Sequence, residues 1–404
     1  MKHSFLIVLF IGSLIQALKA QTDLDAAAYH PPNLNKPSIL SLHPYGNFSS
    51  RLQGQFNFIP TTRPRFNLSI ESANVWAAPV TAFIPTEESV RNDVRPIEYH
   101  RTEFLFNPNT FEHQQIDIAN DGVLKGFRLQ SILPINENSE LHIGLRSFLL
   151  TRGKATFTLL TGDQFIEWFH SHIAGGGDPF ARELFGLDQA EIYYNDRNNR
   201  EMRIENGDFV IGGLETAYYI YPSFLKNDKR SIGSNIGFHL GTNLSKYNRS
   251  MDLGLSYNLT KAYQLRANSW FQVAGGLGIL RKNLIKFSQN NLDFGTNDFL
   301  GHLEALASYS FLSGGKTRHT FSADFYIQTS YNEKDEFDYS VPVRNGVSEK
   351  SWVTGFEHLY KNTNYWSFIY SFERKIKTSF YLQQDLTLNN NPDIQTGVQL
   401  SFGL

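Results

Sequence analysis

The chain has 404 residues and no cysteine. That excludes a disulfide framework and excludes the lipid anchor that some exported proteins attach to a cysteine at the leader boundary. It also lacks an excess of charge of one sign, with 37 basic against 39 acidic residues, so it carries no electrostatic footprint for nucleic acid. Long hydrophobic runs are missing after the first few turns of sequence. No later stretch approaches the ~18–20 uninterrupted apolar residues of a membrane-spanning helix.

What remains is rich in aromatic residues, 14% of the chain, dominated by 33 Phe and 19 Tyr, together with 30 Gly. The N-terminus is different. Lys2 and His3 precede an apolar run from Phe5 to Leu18, and Ala20 followed by Gln21 offers a cleavage point, which describes a secretory signal peptide over residues 1–20. Removing it takes away Lys2 and Lys19 and leaves 35 basic against 39 acidic residues, a formal charge of −4.

At the other end Val398, Leu400, Phe402 and Leu404 are apolar at every second position, with Gln399, Ser401 and Gly403 between them. Strict alternation of this kind belongs to a strand with one apolar and one polar face. The pattern recurs. Ile236, Phe238, Leu240 and Leu244 share one face and Met251, Leu253, Leu255, Tyr257 and Leu259 another, across a polar turn, with Leu244 expected opposite Met251. A second hairpin sets Phe299, Leu303, Ala305, Ala307, Tyr309 and Phe311 beside Phe321, Ala323, Phe325 and Ile327, with Gly314 and Gly315 in the turn. Similar pairs run from Phe127 to Leu149 and from Phe380 to Leu404, the latter around a turn at Asn389–Asp393. Weaker strands are expected at Leu52–Phe58, Phe66–Ile70, Ala190–Tyr194, Phe209–Tyr221, Ala262–Val273 and Trp352–Phe372.

Together with an export leader, these features predict an all-β fold: a transmembrane antiparallel up-and-down β-barrel of the Gram-negative outer membrane, a single domain over 21–404. A count of strands gives roughly 12, within a range of about 10 to 16. A secreted β-sandwich would share the alternation. Tyr219, Tyr221, Trp270, Tyr331, Tyr360, Tyr365 and Trp366 are expected in interfacial girdles. The charged stretch Asn332–Glu349 reads as a long outward loop.

The alternation stops over 162–187. Phe165, Trp168, Phe169 and Ile173 recur at helical spacing behind Asp163. Gly175, Gly176 and Gly177 then break the helix, and Asp178 and Pro179 start another turn through Phe180, Leu184 and Phe185. A helical insertion carrying Phe165, Trp168, Phe169, His170 and His172 is expected to plug or cap the barrel.

FRLQSILPINENSELHIGLRSFLLTRG at 127–153, FIEWFH at 165–170, FGL at 185–187 and FVIGGLETAYYIYP at 209–222 together resemble an uncharacterised family of Gram-negative outer-membrane proteins, of the domain-of-unknown-function type. The resemblance covers roughly 90 to 100 residues and implies a barrel and no activity. Ala155–Thr161 departs from the family-like glycine-rich turn. Leu404 stands where such barrels end in Phe.

Catalytic patterns are sparse. His170, Ser171 and His172 are the densest cluster and suggest a barrel-embedded lipid hydrolase, but adjacent helical residues point about 100° apart, which sets Ser171 away from both rings. His-x-His with Asp178 and Glu183 suits a metal poorly on a helix. No cofactor or metal is expected. Arg128, Arg146, His239, Asp252, Arg266, His302, Glu304 and Asp324 all fall on the polar faces of their strands, so they are expected in the lumen, pairing with one another or lining a selective pore. The expected function is a narrow channel for a small polar solute with a partly occluded lumen. The alternatives are the hydrolase and a structural or docking barrel. Its expected partners are outer-membrane lipids and the barrel assembly machinery, with no nucleic acid.

Overall fold

The computed structural model describes residues 31–34, 36–37, 44–154, 158, 160–173, 182–333, 338–344, 362–384 and 394–403. The expected leader at 1–20, the glycine break with Asp178–Phe180, the turn at Asn389–Asp393, Tyr360, Leu404 and part of the loop Asn332–Glu349 lie outside the described residues.

Alternation becomes strand wherever it was expected to be strong. The strands are β1 (Arg65–Pro85), β2 (His113–Asn136), β3 (Ser139–Thr151), β4 (Glu191–Asn195), β5 (Glu201–Glu205), β6 (Phe209–Ile220), β7 (Ile232–Leu244), β8 (Arg249–Arg266), β9 (Ser269–Lys286), β10 (Phe299–Ser313), β11 (Thr317–Gln328), β12 (Val341–Arg344), β13 (Thr363–Glu373), β14 (Lys377–Gln384) and β15 (Ile394–Gly403). Twelve of them close an antiparallel barrel. Neighbours along the chain pair throughout, and β1 completes the ring by pairing with both β2 and β15. The other three lie beyond the ring, where β12 pairs with the far end of β1, and β4 pairs with β2 and with β5.

Short turns join strands at one end, such as Ala267–Asn268 and the glycine pair Gly314 and Gly315, whose φ values of 57° and 66° suit a residue without Cβ. Long connections gather at the other end. They carry α1 (Glu88–Val94), α2 (Tyr99–Leu105) and α3 (Asp163–His172). No helix among the described residues is long and apolar enough to cross a membrane.

The faces are inverted relative to a water-soluble barrel. Leu253, Leu255, Leu259, Leu277, Phe321 and Phe368 point outward and are exposed, whereas Asp252, Ser256, Asn258, Gln272, Glu304 and Asp324 point inward and are buried. This is the distribution of a barrel surrounded by lipid.

Several expectations are corrected. Leu244 pairs with Arg249 and Met251 with Thr242, two residues from the expected register, because Ser245 and Asn248 close a tighter turn and Asn243 bonds Ser250. A shift of two leaves both faces as they were. Leu52–Phe58 is not a strand; it threads the lumen. Ala262–Val273 contains the turn between β8 and β9. Tyr219, Tyr221, Trp270, Tyr331 and Tyr365 are buried, and of the described girdle residues Trp366 alone is exposed outward, at 37%.

The helical insertion is also corrected, for its described part. Register between β1 and β2 is unbroken from Arg65↔Ile132 to Ala77↔Asn120, so Ser72, Asn74 and Trp76 share the outward face with Phe66, Leu68 and Ile70. Thr161 Oγ1 lies 2.5 Å from Ser72 Oγ, and Asn74 Nδ2 donates to Thr161 O (3.0 Å) and to Asp163 Oδ1 (2.8 Å). Lys125 Nζ donates to Ser72 Oγ (2.7 Å), and Arg182 pairs with Asp163 at 3.0 Å. The insertion straps the outside of the wall, where these polar groups would otherwise face hydrocarbon at high cost.

The inside–outside assignment has a direct test. Leu255→Arg should destabilise the barrel in lipid vesicles by about 2–4 kcal/mol, measured by urea unfolding. Its neighbour Ser256→Ala, which removes a single bond to His239, should cost about 1 kcal/mol.

Candidate functional site

Inside the barrel a stretch of chain runs from mouth to mouth. A 3-10 turn at Pro44–Phe48 sits at the long-loop mouth, Phe58 reaches Gly233 near the short-turn end, and Thr61 meets Glu140 there. Residues of 31–37 lie beside it: Leu34 packs on Phe56 and Leu306, and Gln272 Nε2 donates to Pro32 O (3.0 Å).

This segment has no strand partner for its main chain, and buried peptide groups must be satisfied. Side chains of the wall do this. Arg146 Nε donates to Asn47 O (2.9 Å), Asn248 Nδ2 to Phe48 O (2.8 Å), Tyr326 OH to Leu52 O (3.1 Å), Asn235 Nδ2 to Gln55 O (2.8 Å) and Thr260 Oγ1 to Phe56 O (3.0 Å). Four carboxylates from four strands accept main-chain N–H groups. Asp252 takes Ser50 (2.8 Å), Glu215 takes Arg51, Glu304 takes Gly54 and Glu140 takes Thr61 (2.7 Å). Hydrogen bonds to ionised acceptors are the stronger kind. Glycines let the segment approach: a Cβ at Gly241 would collide with Ser50, and one at Gly233 would lie 2.6 Å from Phe58 O.

The charges compensate locally. Arg128 and Arg146 are direct cross-strand neighbours, a repulsive arrangement. Glu71 offsets it with a 2.9 Å pair to Arg128 Nε, and Glu215 with a 2.5 Å pair to Arg146 Nη1. Lys36 of the segment lies between Glu304 and Asp324. Asp252 makes no ion pair within 4 Å among the described residues, although the buried Lys282 is close enough to feel its charge, and it accepts from Ser50 N, Asn243 Nδ2 and Asn283 N, each at 2.8 Å. Glu140 holds Thr61, Gln55 (3.1 Å), His142 (3.0 Å) and Tyr221 OH (2.7 Å).

The long-loop mouth is closed by rings. Phe48 stacks on Phe294 with centroids 5.5 Å apart, and Tyr45 packs on Phe294 and Tyr194 at 5.5 and 4.9 Å. Along one side of the segment a cavity of about 90 Å³ remains, lined by Arg51, Arg128, Gln130, His142, Glu215 and His239. A second of about 60 Å³ continues it past Gln53, Gln130, His142 and Tyr219 toward Lys36. At roughly 30 Å³ per water, the first has room for about three.

Of the residues expected in the lumen, Arg128, Arg146, His239, Asp252, His302, Glu304 and Asp324 are buried on the inner face. His239 Nε2 lies 2.8 Å from Ser256 Oγ, and His302 stacks on Tyr326 with centroids 5.5 Å apart. Arg266 is corrected: β8 is irregular between Gln264 and Arg266, and Arg266 is exposed at the strand end. Glu140, His142 and Glu215 were missed. The first two were within reach of sequence reading, since they lie six and four residues before Arg146 on the same face of one strand.

On α3, Phe165 and Phe169 are half-buried, His170 is buried, and Trp168 is exposed with its ring stacked on His172. Ser171 Oγ does lie 2.8 Å from His172 Nδ1, closer than helical geometry led us to expect. However, that nitrogen also faces Trp168 O at 3.0 Å. A carbonyl can only accept, so Nδ1 carries the proton there and cannot serve Ser171 as a base. Ser171 donates instead to Glu167 O (2.8 Å). Among the described residues no three His, Asp or Glu side chains assemble a metal site.

No protein-family model matches the chain, and no curated protein matches it. Solved structures do. An outer membrane channel from Pseudomonas putida F1 is 8% identical, with 86% of this chain and 98% of that one covered and a TM-score of 0.38. The NanC porin is 4% identical, with 70% and 93% covered and a TM-score of 0.33. The translocator domain of the autotransporter NalP from Neisseria meningitidis is 8% identical, with 85% and 89% covered and a TM-score of 0.33. Likeness at this level brings no substrate or partner to this chain.

Asp252→Ala removes the acceptor of Ser50 N, the one of its three donors that belongs to the segment, and should weaken the seating of the segment by about 1–3 kcal/mol. Limited proteolysis should cut within 44–64 at least tenfold faster than in the parent, while the barrel keeps its heat-modifiable mobility on gels. Cleavage at the parental rate would mean that Asp252 does not hold the segment.

Proposed function

We propose that the protein is an outer-membrane channel for a small polar solute, held closed by its own N-terminal segment. The observation that carries this reading is the manner of closure. The segment is joined to the wall by side-chain bonds to its main chain, with no sheet pairing among its described residues, and a polar passage one to three waters in size lies beside it. Leu34, Leu52 and Phe56 make apolar contacts with the wall, but the gap beside the segment carries Arg51, Arg128, Gln130, His142, Glu215 and His239, which a filler alone would not require.

Three arginines against two carboxylates along that passage, each carboxylate paired with an arginine, suit a neutral or zwitterionic solute better than a strongly charged one. Arg51 and Arg128 line it with Glu215, while Arg146 and Glu71 stand behind as partners. On this reading the leader directs export, the assembly machinery of the outer membrane inserts the barrel, and its lipids surround the outward belt. The short turns then face the periplasm and the long connections the exterior. The closed aromatic mouth, with Phe104 and Leu105 exposed nearby on α2 at 66% and 63%, favours as a second reading a docking barrel that does not conduct.

Single-channel recording separates the two. The full-length protein should show rare brief openings in planar bilayers. The double variant Asp252→Ala, Glu304→Ala should raise open probability about tenfold or more, since each lost acceptor is worth about 1–3 kcal/mol and 1.4 kcal/mol is a factor of ten. Silence from both proteins, with correctly folded barrels, would discard the channel and leave the docking reading.

A further inference from the structure

A closed barrel is convex, yet part of its outward wall here is concave. Ala307 and Ala323 face each other across β10 and β11, and their row continues through Phe368 and Leu382 to Thr396 and Ser72. The next row toward the short turns is entirely aromatic on these strands, with Tyr309, Phe321, Tyr370 and Phe380 in direct register. Two small side chains beside an aromatic ridge make a trough of about 650 Å³. Leu160 of the insertion also lines it, carried over the wall by the adjacent Thr161–Ser72 contact.

We propose that this trough is a binding site for one acyl chain of a membrane lipid, gripped between the wall and Leu160. The outward apolar belt in which it lies is continuous on both sides, with Phe271, Phe321, Phe368 and Phe380 all exposed, so hydrocarbon is what reaches it. Its width points the same way. Along the strands its lining takes in two outward rows, roughly 7 Å apart, while across them it runs from Phe271 on β9 to Thr396 on β15, a long narrow shape that admits a polymethylene chain and not a helix of about 10 Å. The site depends on the barrel lying in a membrane and is independent of whether the lumen conducts.

Native mass spectrometry of the full-length protein, refolded in detergent and titrated with a palmitoyl-oleoyl phospholipid, tests it. The parent should retain one phospholipid. Ala323→Phe and, separately, Ala307→Phe fill the trough with side chains of the kind the belt already carries, and each should weaken that first binding step about tenfold, as loss of two or three methylene contacts would. Leu160→Ala should weaken it less, and Leu253→Phe, on another part of the belt, should leave it unchanged. Equal retention by the parent and both filled variants, or none by the parent, overturns the proposal. So does a loss of dimer in the filled variants without a change in bound lipid, which would assign the trough to a second copy of the chain.

Discussion

A main chain that crosses the inside of a closed barrel has no neighbouring strand to bond to, and four carboxylates of the wall make the crossing possible. Asp252, Glu215, Glu304 and Glu140 stand on β8, β6, β10 and β3, and each takes one N–H of the segment. They anchor it at 50, 51, 54 and 61, along its length. The remaining architecture follows from this constraint. Glycines at 233 and 241 clear the path, amide and hydroxyl side chains supply donors to the carbonyls, and Lys36 brings a cation to the two acids in the middle. Replacing one of the carboxylate, amide or hydroxyl side chains with an apolar residue would leave a peptide group unpaired where water has little access.

The same rule operates on the opposite face of the wall. Ser72, Asn74 and Lys125 are outward residues that no lipid can satisfy, and the insertion answers them with Thr161, Asp163 and Arg182. One barrel thus carries two covered polar tracts, one inside and one outside, and in each the cover comes from chain outside the twelve strands. Both covers are irregular or only locally helical, because their shape is dictated by the donors and acceptors they must reach.

Much of the barrel was legible in the residues. Period-two alternation identified the hairpins at 236–259 and 299–327, and it assigned Arg128, Arg146, His239, Asp252, His302, Glu304 and Asp324 to one face. Where reading failed, the cause was local. The turn between β7 and β8 is closed by Ser245 and Asn248, a contact worth two residues of register but invisible to periodicity. Arg266 lies past an irregularity that ends the alternation. The inward tyrosines looked like a girdle because a large amphipathic ring suits an interface and a crowded lumen equally. Leu52–Phe58 alternates like a strand, yet only the surrounding wall decides that it pairs with side chains.

Alone, the sequence determined that an alternating, cysteine-free, aromatic-rich chain without long apolar runs builds strands with one polar and one apolar face, since successive side chains of a strand point to opposite sides. A sandwich shares that period, and the closed ring with its polar side inward belongs to the tertiary structure. What fills that barrel, and where the helical insertion goes, only the tertiary structure decided. Plug and strap are joined to the wall by hydrogen bonds between distant residues, Thr61 with Glu140 at 79 positions apart and Lys36 with Asp324 at 288 among them. No local pattern encodes such a pairing; it exists only once the ring of strands has closed and brought distant side chains to face one another.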